Sequence, residues 1–258
     1  MNEKTIALDV GYYHLTRRAE IAEKEFEYST LHWSLPVDQI ALILVDVWGE
    51  HYVASHVART AEITTQRIKP LMQAFRARGA SVVHAPGPDC AQKYPQAGKY
   101  AIAQEKGGQS RAEQTWPPTE FRRKEGDFVQ WARPQDPQDA EFDRIIAERF
   151  IQRDVEPQEG DEVVATGEEL QRLLQERGIL FLFYAGFAAN MCVLFRDYGM
   201  RAMRDRGYEI VLIEDCTTAI EVADTADELL LSRAVQVDVA QNIGYTVTAS
   251  ALLQACGR

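Results

Sequence analysis

Six short apolar runs set at helix-length intervals constrain this chain more than any other feature. They are residues 40–45 (IALILV), 80–85 (ASVVHA), 162–165 (EVVA), 179–185 (ILFLFYA), 209–214 (EIVLIE) and 244–248 (GYTVT). Runs this short, rich in β-branched and aromatic side chains, predict fully buried strands, since a buried helix would need to be longer. Between them lie amphipathic segments. Residues 60–78 carry Ile63, Ile68, Leu71, Met72 and Phe75 at helical spacing and stop at Gly79, and residues 168–177 stop at Gly178. Further helical patterns follow near Cys192, over 225–242 and from 249 to Cys256. Strands alternating with helices imply a parallel sheet covered on both faces, a three-layer α/β/α arrangement with right-handed crossovers. The expectation is one doubly wound α/β domain spanning 1–258, with six parallel strands in the order 3-2-1-4-5-6 and the site at the carboxyl ends of strands one and four.

Two segments fall outside this pattern. Residues 1–36 are polar but hold Tyr12, Tyr13, Phe26, Tyr28 and Trp33 without a clean period, and read as an N-terminal extension that packs on the domain or on a second subunit. From 87 to 160 the chain turns to Pro, Gln, Gly and charge, broken by one short helical pattern over 142–150. A long insert with Tyr94, Tyr100, Trp116, Phe121, Phe128 and Trp131 to bury suits a lid or a subunit contact better than a disordered loop.

With 39 acidic against 28 basic side chains, a net charge of −11 argues against nucleic acid or an anionic membrane as the main partner. No apolar run approaches the length of a membrane span, and the first nine residues lack the basic start and apolar stretch of a signal peptide, so a cytoplasmic location is expected. Cys90, Cys192, Cys216 and Cys256 are scattered without C-x-x-C pairs, as suits free thiols in a reducing compartment.

The chemistry concentrates where the fourth run ends. Cys192 stands at a strand-to-helix junction, where unpaired N–H groups and the helix dipole favour a thiolate. The other reading is a small buried hydrophobe. The wording of the junction separates them: Gly186-Phe187-Ala188-Ala189-Asn190-Met191-Cys192-Val193 resembles the G-x-x-x-[ND]-x-C-V signature of the isochorismatase-like cysteine hydrolases, which include nicotinamidases and ureide amidohydrolases. Asp46 closes the first strand, as the acidic member of that family's triad does. The resemblance covers 40–85 and 162–250. It implies a homo-oligomer, dimer or tetramer, that hydrolyses a C–N bond of a small-molecule amide or ureide with no cofactor. It further implies Cys192 as nucleophile, Asp46 as base, a cis peptide bond between Phe187 and Ala188, and an oxyanion hole from the amides of Ala188 and Cys192.

The family's lysine is missing. It follows a G-D-x-V-x-x pattern, and here Gly160-Asp161-Glu162-Val163-Val164-Ala165 leads into Thr166, with no lysine after Lys124. Two histidines are candidates to replace it: His51 in the loop after strand one, and His84 at the end of strand two. Asp46, His51 and His84 have the ligand types for a metal, but the aspartate–histidine motif of nicotinamidases is absent after strand two, so no metal site is expected. Trp48, Tyr52 and Phe187 are candidate walls of the substrate pocket. The alternative function is a non-catalytic member of the fold that serves as a binding or scaffold protein.

Overall fold

The computed structural model describes residues 5–16, 21–101, 116–134 and 139–257. The chain opens with a hairpin, β1 (Thr5–Leu15) and β2 (Phe26–Pro36), and enters the first central strand, β3 (Ile40–Val45). Helices α1 (Ala54–Ile63) and α2 (Lys69–Arg78), fused through a wider turn at Thr64–Ile68, lead to β4 (Ser81–Ala85). The insert carries α3 (Pro88–Ala91), α4 (Thr119–Arg123) and α5 (Asp139–Glu148). There follow β5 (Glu162–Val163), α6 (Gly167–Arg177), β6 (Phe181–Phe187), α7 (Met200–Asp205), β7 (Glu209–Thr218), α8 (Leu230–Asp238), β8 (Tyr245–Val247) and α9 (Ala249–Cys256).

One sheet of eight strands results, in the order β2-β1-β8-β7-β6-β3-β4-β5. Its six parallel members stand in the order the sequence predicts, and all of β3 is buried, which is why that strand reads as an unbroken apolar run. Alternate residues of β3 feed opposite layers. Ile40, Leu42 and Leu44 join Leu71, Met72 and Phe75 of α2 and Leu252 of α9 in one core. Ala41, Ile43 and Val45 join Leu170, Leu173 and Leu174 of α6 and Met200 and Met203 of α7 in the other. Each such leucine or isoleucine stabilises the fold by about 1.5–3 kcal/mol through burial.

The extension is not aperiodic, and here the sequence expectation needs correction. Ile6, Leu8 and Val10 are buried and alternate with exposed Thr5, Ala7 and Asp9, a period of two. The hairpin pairs antiparallel from Thr5↔Pro36 to Leu15↔Phe26 and continues the sheet through Gly11↔Thr246. The alternation is hard to read because β2 is an outer edge whose only fully buried residue is Leu35, so half the hairpin carries no apolar rhythm. Its aromatics pack sideways instead: Trp33 meets Tyr245 at 4.6 Å, and Tyr28 Oη and Thr246 Oγ1 lie 2.9 Å apart.

Smaller corrections follow from pairing. Strand β6 runs on to Phe187 rather than ending at Ala185, because Gly186 still pairs with Val45 of β3 and β7 re-pairs past a bulge, Gly186↔Thr217 and Phe187↔Thr218. The insert helix starts at Asp139, before the expected 142. Helix α8 starts at Leu230 rather than 225, after Leu229 takes a left-handed φ of 51°. In the insert, Tyr94 and Tyr100 pack into the domain, whereas Trp116 and Trp131 are exposed. Residues 102–115 and 135–138 of the insert lie outside the described residues.

Candidate active site

The backbone at the end of β3 turns at once. Asp46 adopts a left-handed φ of 46°, an uncommon conformation that an aspartate tolerates better than a branched residue, and its carboxylate is buried. Beside it Gly186 sits at φ 122°, and a Cβ there would fall 1.9 Å from the Val45 carbonyl oxygen. Only glycine lets β6 approach β3 so closely at the point where each delivers a site residue. The hydroxyl of Thr217 donates to the Gly186 carbonyl at 2.7 Å and holds the bulge in place. The Phe187–Ala188 peptide bond is cis.

Cys192 lies in the wide helical turn Ala189–Val193 that follows β6. Asn190 fixes that turn to the strand-β7 exit: its Nδ2 donates to the Ile220 carbonyl and its Oδ1 accepts from the Ile220 N–H, both at 3.1 Å. The helix then breaks. Asp197 accepts a hydrogen bond from the Gly167 N–H at 2.8 Å, and the Tyr198 carbonyl accepts from Tyr184 Oη at 2.9 Å, so residues 196–199 are drawn out before α7 begins.

That break completes the site. Arg196 donates from Nε and Nη2 to Asp46 Oδ2 at 3.1 and 3.0 Å, and Tyr198 Oη donates to Asp46 Oδ1 at 3.1 Å. The Cys192 thiol shares the cavity wall with this carboxylate and helps to hold its charge. Burial pushes the Asp46 carboxyl above its ordinary value, while Arg196 and the three donors pull the other way. Burial, then the Asp46 charge, pushes the Cys192 thiol up to about 12, against the pull of Arg196. This corrects the expectation of a thiolate prepared by a helix terminus. Desolvation and an adjacent anion outweigh the dipole of so short a helical stretch, and at rest the proton sits on sulfur, aimed at a carboxylate.

The two histidines are placed differently. His84 is buried with its Nε2 3.3 Å from Asp161 Oδ2, and Asp161 is also gripped by Arg76, from Nε at 3.0 Å and from Nη2. It belongs to that structural network and is not on the cavity wall. His51 does line the cavity, but burial and then Arg149 lower its pKa, and its Nδ1 accepts from the Val53 N–H at 3.1 Å. Its ring stacks on Tyr52 at 4.2 Å, and the lowered pKa disfavours the cationic form. Thr166, at the expected lysine position, caps α6 by accepting from the Glu169 N–H at 3.2 Å. Among the described residues, no group of three or more histidine, cysteine or acidic side chains is placed to hold a metal.

Asp46, Cys192 and Ala188 open on one cavity of about 310 Å³, within the range for small-molecule sites. Trp48, Tyr52 and Phe187 line it, with His51, His56, Met191 and Ile220. The insert adds Phe142, Ile146 and Arg149, and Phe142 meets Tyr52 edge-on at 5.9 Å. Sequence reasoning missed Arg196, Tyr198, His56 and Arg149. Arg196 had a signal, since four residues on from Cys192 it shares that residue's helix face. Tyr198, His56 and Arg149 had none short of the fold.

A sequence model of the isochorismatase domain matches residues 40–242. Among solved structures, the chain is similar in fold to a cysteine hydrolase from Pseudomonas syringae pv. phaseolicola 1448A, at 17% identity over 87% of this chain and 95% of that one, with a TM-score of 0.57. An isochorismatase from Pseudomonas putida KT2440 aligns at 20% identity over 83% and 90% of the two chains, with a TM-score of 0.49. An N-carbamoylsarcosine amidase from Thermoplasma acidophilum aligns at 18% identity over 82% and 96%, with a TM-score of 0.44. No curated protein sequence matches the chain.

Proposed function

Because the chain belongs to the isochorismatase family, whose domain model covers residues 40–242, we propose that it is a cysteine hydrolase cleaving a C–N bond of a small amide or ureide through a Cys192 thioester. The observation that carries this reading is the Cys192 thiol set against a buried Asp46 carboxylate on the wall of one cavity. A carboxylate whose pKa is raised by burial is a better base than a free one. Sulfur attacks the substrate carbonyl carbon as its proton passes to Asp46. The oxyanion is received by the amides of Ala188 and Cys192, where fixed N–H groups in a dry site stabilise charge better than water does. Collapse breaks the C–N bond, and the amine leaves with the proton from Asp46. Water then attacks the thioester, Asp46 takes its proton, and the acid departs as the proton returns to sulfur.

Arg196 fills the role of the absent lysine in this reading. It positions Asp46 in the resting state, and once Asp46 is protonated it is left facing the tetrahedral anion with its charge uncompensated. The scaffold reading rests on the want of a third group, and a guanidinium 3.0 Å from Asp46 meets that want. A screen over amides, ureides and hydroxamates, followed by release of amine or ammonia, tests the proposal. Cys192→Ala should abolish turnover of any substrate found, and persistent turnover would refute the assignment.

A further inference from the structure

The cavity wall opposite in character to its aromatic lining is Arg149, contributed by the insert just past the end of α5. The residue is 8% exposed, and its guanidinium lies 4.1 Å above the Trp48 ring. Trp48 is itself fixed, donating from Nε1 to the Pro86 carbonyl at 2.8 Å. The segment that follows Arg149 is stitched to the β3 exit by Gly49 N–H to the Phe150 carbonyl at 3.0 Å and Gln152 N–H to the Val47 carbonyl at 2.9 Å. The cation is therefore held in place, not free to swing into solvent.

Its charge is poorly answered. The Arg149 Nε is buried and has no hydrogen-bond partner among the described residues. Among the described residues its one ion pair is to Asp89, at 3.6 Å and beyond hydrogen-bonding range, and the Asp89 side chain is 61% exposed. Of the two carboxylates on the cavity wall, Asp46 is committed to Arg196, and Glu50 forms no ion pair among the described residues. A buried guanidinium whose Nε has no acceptor and whose ion pair is long is costly in a finished protein and ordinary in a binding site awaiting an anion. Arg196 cannot serve that purpose, because its Nε and Nη2 already go to Asp46.

We propose that Arg149 is the specificity residue of the cavity and receives a carboxylate of the substrate, so that the substrate class is a small apolar amide or ureide bearing one carboxylate. The planar fork of arginine matches a carboxylate with two parallel hydrogen bonds, and Trp48 holds the fork from behind. The aromatic wall between Arg149 and Cys192 takes the apolar body, and the anion fixes which carbonyl reaches sulfur.

This inference rests on the cavity being the substrate site of a hydrolase, and the test separates the two. The probes are butanoate, hexanoate and benzoate against the matching primary alcohols, each read by how far it protects Cys192 from iodoacetamide, with the alkylated peptide identified by mass spectrometry. In the wild type the carboxylates should protect at tenfold or lower concentration than the alcohols. Arg149→Gln should erase that ratio, and Arg149→Lys should keep part of it. Comparing ratios within each variant removes any change in the intrinsic rate of the thiol. Alcohols protecting as well as carboxylates, failure of both series to protect, or an unchanged ratio in Arg149→Gln would overturn the proposal. No turnover is needed, so a thioester formed from a neutral amide alongside failed carboxylate protection would leave the hydrolase reading standing and sink this one.

Discussion

Arg196 is where the local chemistry is decided, because it joins the nucleophile's own helical turn to the base across the sheet. Arg196→Gln should lower kcat/KM about 10²-fold, roughly 2.7 kcal/mol of transition-state stabilisation, with Arg196→Lys recovering part of it. A merely structural role would leave the pH profile in place. Here the acid limb of kcat/KM, set by protonation of Asp46 and lying above the usual carboxylate range, should move further up in Arg196→Gln. An unmoved limb would argue against the ion pair. His56 gives a stability prediction. It is 4% exposed, and burial, then His51 and Arg59, lower its pKa to about 4. The unfolded chain therefore binds the extra proton first, and the native state loses stability as pH falls from 6.5 towards 4, by on the order of 3 kcal/mol. Urea midpoints at pH 7.5 and 4.5 should differ less for His56→Gln than for the wild type.

At the scale of elements, the strand-to-helix junction was legible and its continuation was not. Gly186, Asn190 and Cys192 lie in one contiguous stretch, so one short sequence pattern revealed them together although Gly186 and Asn190 act on distant backbone. The helix break at 196–199 depends on Gly167 and Tyr184, about 30 and 14 residues away, which no local pattern shows. The same holds for the end of β6, where Gly186 pairs with both Val45 and Thr217 and Phe187 pairs with Thr218 beyond the bulge. The placement of His84 was hidden for a related reason. The end of a strand fixes where His84 stands but not that Asp161, itself held by Arg76, would claim it. Gly186→Ala should be the costliest small change in this region, about 2–4 kcal/mol, since the new Cβ meets backbone that cannot give way. Denaturant unfolding checks it, and a loss within 0.5 kcal/mol, roughly the range of an ordinary surface change, would show that β6 can shift.

For the whole molecule, burial explains what was readable. Strands enclosed on both faces announce themselves by composition, and their order followed from the alternation with helices. The hairpin of 5–36 is enclosed on one face only and sits at the sheet margin, so its signal was faint. Among the described residues no helix is long and apolar enough to cross a membrane. Oligomerisation is a proposal from family resemblance: light scattering should give a multiple of the 29.2 kDa chain mass, and a monomer mass would contradict it. The central claim is that Cys192 becomes acylated while Asp46 carries its proton. Acid quenching of the protein during turnover of a responsive amide or ureide, followed by peptide mass spectrometry, tests it most directly. The account predicts an acyl group on the Cys192 peptide of the wild type, slower to appear in Asp46→Asn and absent in Cys192→Ala. Turnover with no adduct on Cys192 in any time window, or an adduct on another cysteine, would contradict it.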